Sequence, residues 1–124
     1  MLLKECYESF GGDYESVRNR ISQEEIIRKF LIKFLSEPSY DNLCKTLATE
    51  EYEEAFRAAH SLKGVCQNLG FDQLEKSSSV LTELLRNSME KQVDMEQCKV
   101  AFRKVSEDYK VVIDAITRFF PDLS

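Results

Sequence analysis

A chain of 124 residues that is 43% hydrophobic has the size of one ordinary domain and enough apolar material to fill a single core. Its charged residues, 31% of the chain, are mixed in sign and sum to a formal net charge of −5, without the clustered basic footprint that a nucleic-acid backbone requires. Its longest apolar runs, such as Val111-Val112-Ile113, fall far short of the ~20 residues of a bilayer crossing, and Lys4 and Glu5 stand where a secretory signal would be apolar.

The chain is therefore expected to be cytoplasmic, a stand-alone protein of one domain over 1–124, with neither a membrane nor a nucleic acid as partner. Gly11-Gly12, Pro38, Gly70 and Pro121 punctuate it, and the stretches between them carry helical rather than strand spacing. A short helical extension is expected at the N-terminus. Ser22 and Glu25 form a capping-box pattern ahead of Ile26, Ile27, Phe30, Leu31, Phe34 and Leu35, which predicts a helix over 22–36. A shorter helix over 40–48 turns Leu43, Cys44 and Leu47 inward. Thr49 is then placed to cap a helix over 50–69 that ends at Gly70.

Asp72 and Glu75 repeat the box-like start for a helix reaching about Arg86, with Leu74, Val80, Leu81, Leu84 and Leu85 as its apolar set. A polar loop over 87–93 follows. Asp94 with Gln97 opens the longest helix, in which Cys98, Ala101, Phe102, Val105, Tyr109, Val112, Ile116 and Phe119 step by three and four. Four long amphipathic helices with short connections predict an all-α fold: an up-and-down antiparallel four-helix bundle over about 22–120, with the N-terminal extension outside it. Cys6, Cys44, Cys66 and Cys98 form no C-x-x-C pair, so they read as reduced, apolar core residues, and no metal site is expected.

The third predicted helix carries His60, the one histidine of the chain. Advancing 100° per residue puts Ala55, Ala58, Ala59, Leu62, Val65, Cys66 and Leu69 on the core side and His60 nearly opposite, with Glu53, Arg57, Lys63, Gly64 and Gln67. A packing histidine would need an inward position, and this one is predicted to face out. An ordinary imidazole is largely free base near neutral pH, so its ring nitrogen is a usable nucleophile. No serine or cysteine triad accompanies it. Phosphoryl transfer asks less of the protein, because it depends on positioning and on neutralising the phosphoryl oxygens. Lys63, one turn on, is placed to supply that charge. Gly64 costs about 1 kcal/mol inside a helix relative to alanine, and its missing side chain would leave the ring open to a partner.

The stretch AHSLKGVCQNLGF resembles the signature of histidine-containing phosphotransfer domains: A-H-x-L-K-G followed, after a short spacer, by a small residue or asparagine, an aliphatic residue and glycine. Ala59, His60, Leu62, Lys63, Gly64, Asn68, Leu69 and Gly70 match it in register. The resemblance implies a phosphorelay intermediate without kinase activity of its own. His60 would accept a phosphoryl group from a receiver-domain aspartate and pass it to another receiver. The implied partners are the receiver domains of response regulators or hybrid histidine kinases. The chain would need no cofactor; Mg2+ is expected on the receiver, and a monomer is the default. Many relatives orient the histidine with a glutamine or glutamate from the following helix, where this chain has Thr82. Thr82 through water, Glu83 and Gln67 are the three candidates for that task. Docking is expected on apolar area beside the ring, first at Phe56, then at Phe30 or Phe34, with Arg57 and Glu53 tuning partner choice at the rim. Two other readings stand beside this one: the substrate domain of a chemotaxis-type kinase, and a helical adaptor that is not phosphorylated.

Overall fold

The computed structural model describes residues 2–88 and 90–121, and among them the chain forms seven α-helices and no strand. They are α1 (Leu3–Ser9), α2 (Tyr14–Arg20), α3 (Glu24–Phe34), α4 (Ser39–Ala48), α5 (Tyr52–Leu69), α6 (Asp72–Leu85) and α7 (Met95–Phe119). Helix α5 packs most extensively on α6 and α4, and α6 on α7. Tyr40 of α4 closes the circle onto α7, stacking on Tyr109 at 3.8 Å between centroids and donating its hydroxyl hydrogen to Ser106 Oγ at 2.9 Å.

The apolar periodicity is realised where each helix meets its neighbours. Ala55, Ala59, Leu62 and Cys66 of α5 have no exposed surface, nor have Leu74 and Leu81 of α6 or Val105 and Ile116 of α7. Burying a leucine or isoleucine of this set stabilises the fold by about 1.5–3 kcal/mol. The first predicted helix has a narrower inner stripe than its sequence suggests: Ile27, Leu31 and Phe34 are buried, while Ile26 and Phe30 remain exposed. Val80, assigned to the apolar set of α6, is also exposed, because it sits at the outer edge of the α6–α7 seam.

The N-terminal residues are not an extension outside the bundle. Leu3, Cys6, Tyr7, Phe10 and Val17 belong to the same core as the long helices, so the core reaches back well before residue 22. An aromatic cluster joins them to the rest: Phe10 meets Phe71 edge-on at 5.1 Å, and Phe34 meets Phe71 edge-on at 5.0 Å. Three helix starts also differ from the expected caps. α3 begins at Glu24 after an uncapped Gln23, because Tyr14 donates a hydrogen bond to Glu24 and Arg18 pairs with it at 3.3 Å. Thr49 turns its hydroxyl back to the Lys45 carbonyl, and α5 starts at Tyr52 after a left-handed Glu50. Phe71 precedes α6 with no side-chain cap, whereas Asp94 caps α7 as expected, accepting from the Gln97 N–H at 3.1 Å.

Candidate functional site around His60

Helix α5 is held at its C-terminal end by the N-terminal segment. The last carbonyls of a helix lack intrahelical partners. Here Leu69 O accepts from the Tyr7 hydroxyl at 2.8 Å, Gln67 O and Asn68 O accept from Arg20 Nη2 at 3.1 and 2.9 Å, and Gly70 O accepts from the Asp13 N–H at 2.9 Å. Gly70 adopts φ 71°, the left-handed turn that ends the helix, and returns the chain into α6. The axis of α5 is thereby fixed, with its core face turned toward α4 and α6.

His60 lies on the opposite face and is exposed. Among the described residues no hydrogen bond reaches its ring. Its neighbour is Phe56, one turn earlier: the two rings are within 16° of parallel, with centroids 5.9 Å apart. Arg86, the residue capping the end of α6, lays its guanidinium over the Phe56 ring at 5.2 Å, a contact worth about 0.5–1 kcal/mol at an exposed position. Glu83 fixes Arg86 in turn through two hydrogen bonds, of 3.0 Å from Nε and 2.9 Å from Nη2. Those bonds hold the Glu83 carboxyl below the usual carboxylate range, and Lys63 adds to the same effect from α5.

Lys63 is half-buried along its stem and makes no salt bridge among the described residues. It follows His60 by three positions on the same helix, and no carboxylate among the described residues claims its ammonium in an ion pair. A Cβ built on Gly64 would meet nothing within 4 Å, so the surface one turn beyond His60 is open. Glu53, Phe56 and Arg57 come together in one shallow hollow of about 230 Å³, shared with Asn87, Ser88 and Glu90. Arg57 is committed within it, pairing with Glu53 at 2.8 Å and with Glu54.

Other candidates fall elsewhere. Thr82 is fully buried and donates its hydroxyl hydrogen to the Ser78 carbonyl at 2.7 Å, so it faces the core and not the imidazole. Glu83 is engaged by Arg86, and Gln67 is exposed with no side-chain bond to the ring among the described residues. Phe34 is a core residue, 2% exposed. Phe30 is 39% exposed and lines an apolar groove of about 270 Å³ with Val65 and Leu69, on the flank of α5. Among the described residues no group of three His, Cys, Asp or Glu side chains is placed to hold a metal ion.

A lone exposed imidazole with a lysine one turn on along the helix and open space at Gly64 is suited to carry a small charged group. A family model described as the Hpt domain matches residues 33–118. The chain belongs to the Hpt domain family. Neither a curated protein sequence nor a solved structure matches it. Hpt domains act in histidine phosphotransfer within phosphorelays and interact with the receiver domains of two-component systems. In this Hpt domain the matched region contains α4 to α6 entire and nearly all of α7, with the A-H-x-L-K-G motif in the middle of α5. Tyr7, Asp13 and Arg20, which finish the motif helix, all lie before the match. Sequence reasoning assigned no role to them or to Arg86. Arg86 lies sixteen residues after Gly70 and Phe56 fourteen before it, but the same count put Thr82 opposite His60, so spacing alone did not single it out.

Proposed function

We propose that this chain is a phosphoryl carrier: His60 takes a phosphoryl group from the aspartyl phosphate of one receiver domain and gives it to the aspartate of another. The observation that carries the reading is the exposed His60 ring with empty space over Gly64, where another protein's backbone can approach. A lone pair on one imidazole nitrogen attacks phosphorus. A P–N bond forms as the P–O bond to the aspartate breaks, and the carboxylate leaves with the bonding pair. The return step runs the same exchange backwards onto a second carboxylate. Throughout, Lys63 offsets charge on the phosphoryl oxygens, which is where such transfers are stabilised. Mg2+ belongs to the receiver's acidic pocket in this scheme.

The partners are receiver domains of response regulators or hybrid histidine kinases, met by a monomer through the hollow formed by Glu53, Phe56 and Arg57. The bundle expected from the four longer helices, 22–36 among them, is read here as antiparallel and up-and-down with α4 rather than α3 packed beside α5, α6 and α7, so that α5 is presented as a rigid rod. The test is direct. Incubation with a phosphorylated receiver should move label onto the chain in an alkali-stable, acid-labile form, and His60→Gln should take up none. Label that stays on every receiver tested, or that reaches His60→Gln equally, overturns the proposal.

A further inference from the structure

We propose that Phe56, pinned by Arg86, is the positioning residue that holds the His60 ring in its reactive orientation. The inference rests on the phosphotransfer reading of His60 and deepens it. An exposed imidazole without a hydrogen bond has a freely turning ring unless a surface restrains it, and none of the three polar candidates bonds to it among the described residues, Gln67 being exposed with no side-chain partner there. Thr82 is buried and bonded to Ser78, and Glu83 is bonded to Arg86. The aromatic plane beside the ring is Phe56, 16° from parallel with centroids 5.9 Å apart. Nitrogen lone pairs lie in the plane of the imidazole. With the imidazole held near-parallel to Phe56, the plane in which those lone pairs point is set by Phe56.

Phe56 would be a poor shelf if it were loose. Arg86 covers its ring at 5.2 Å, and Glu83 fixes the guanidinium at two points, 2.9 and 3.0 Å away, from the last turn of α6. The result is a brace from α6 to α5 that ends at the imidazole: Glu83, Arg86, Phe56, His60. Fixing the ring in advance removes an orientational cost from the transfer step.

The experiment uses the chain's single histidine, whose ring signals in a proton NMR spectrum need no assignment against others. In the free protein Phe56→Leu should shift both His60 ring signals, Phe56→Tyr should leave them nearly in place, and Arg86→Ala should shift them in the same direction by less. At saturating phosphorylated receiver, Phe56→Leu should lower the transfer rate by about tenfold, with recovery in Phe56→Tyr. Labelling by phosphoramidate, a small donor that needs no docking surface, reads the reactivity of His60 in each variant separately from receiver binding. Unmoved His60 signals in Phe56→Leu, or a loss that lies wholly in the half-saturating receiver concentration, would overturn the inference and leave Phe56 a docking residue. Should wild type accept from phosphoramidate but from no receiver, the carrier reading fails, and the NMR comparison still decides whether Phe56 places the ring.

Discussion

The phenol of Tyr7 donates to the carbonyl of Leu69 at 2.8 Å, joining the first helix to the end of the motif helix across 62 positions of sequence. The pair is buried, so its loss leaves a carbonyl without a partner. Tyr7→Phe keeps the ring in its aromatic cluster and removes only the donor. It should lower stability by about 1–2 kcal/mol in a denaturant titration while leaving phosphoryl uptake by His60 intact. An unchanged unfolding midpoint would show that the N-terminal segment does not brace α5.

Two glycines should respond to alanine in opposite directions. At Gly64 an added Cβ meets nothing within 4 Å, so Gly64→Ala should stabilise the helix by about 0.5–1 kcal/mol. At Gly70, with φ +71°, a Cβ would stand 2.4 Å from Val17 Cγ2 and 2.9 Å from Asp13 O, and Gly70→Ala should cost more than about 1–2 kcal/mol. Thermal unfolding of both variants gives the signs. Gly64→Gln should also slow transfer from a receiver by crowding the ring, and an undiminished rate would remove access as the reason for this glycine.

Lys63→Ala should leave the helical circular dichroism unchanged and slow transfer roughly fivefold to tenfold, since an exposed ammonium contributes on the order of 1 kcal/mol. Lys63→Arg, keeping charge but not shape, should recover part of the rate. Single-turnover transfer from one phosphorylated receiver measures both. Equal rates for all three proteins would take the lysine out of the mechanism.

Alkaline conditions should loosen the fold before they affect its surface. Burial pushes the Cys6 thiol up to about 11 from its ordinary 9.0, and pushes Cys66 further in the same direction. The folded chain thus keeps protons that the unfolded chain releases above pH 9. Stability present below pH 9 is lost as pH rises through that window, by up to about 1.4 kcal/mol per pH unit for Cys66. Denaturant midpoints at pH 8, 9 and 10 should fall progressively. Replacing Cys66 with alanine should flatten the slope, even though the variant starts less stable. A thiol reagent on the native chain should reach half-buried Cys44 before Cys6 or Cys66.

The helices and the side on which His60 stands were legible because both follow from spacing along one chain: a 3.6-residue period places Leu62 and Cys66 inside and His60 outside wherever α5 packs. The helix starts at Glu24 and Tyr52 were not, because Arg18, Tyr14 and the reversal at Glu50 decide them, and these are contacts and backbone states rather than patterns. Thr82 shows the same limit within the site. Its number along the hairpin suited a residue beside the ring, but α6 presents position 82 to the core, where the hydroxyl bonds back to the Ser78 carbonyl of its own helix. Arg86 reached the site from the end of that helix, where a long side chain can cross to α5.

The open ground over Gly64 also sets how long such a carrier can remember. Whatever admits a receiver to the imidazole admits water to a phosphorus–nitrogen bond formed there, and no lid closes over it among the described residues. On the reading proposed above, the protein's contribution is speed of hand-over rather than shelter. A signal stored in this way fades at the pace of the bond's own hydrolysis, and encounters with receivers have to outrun it.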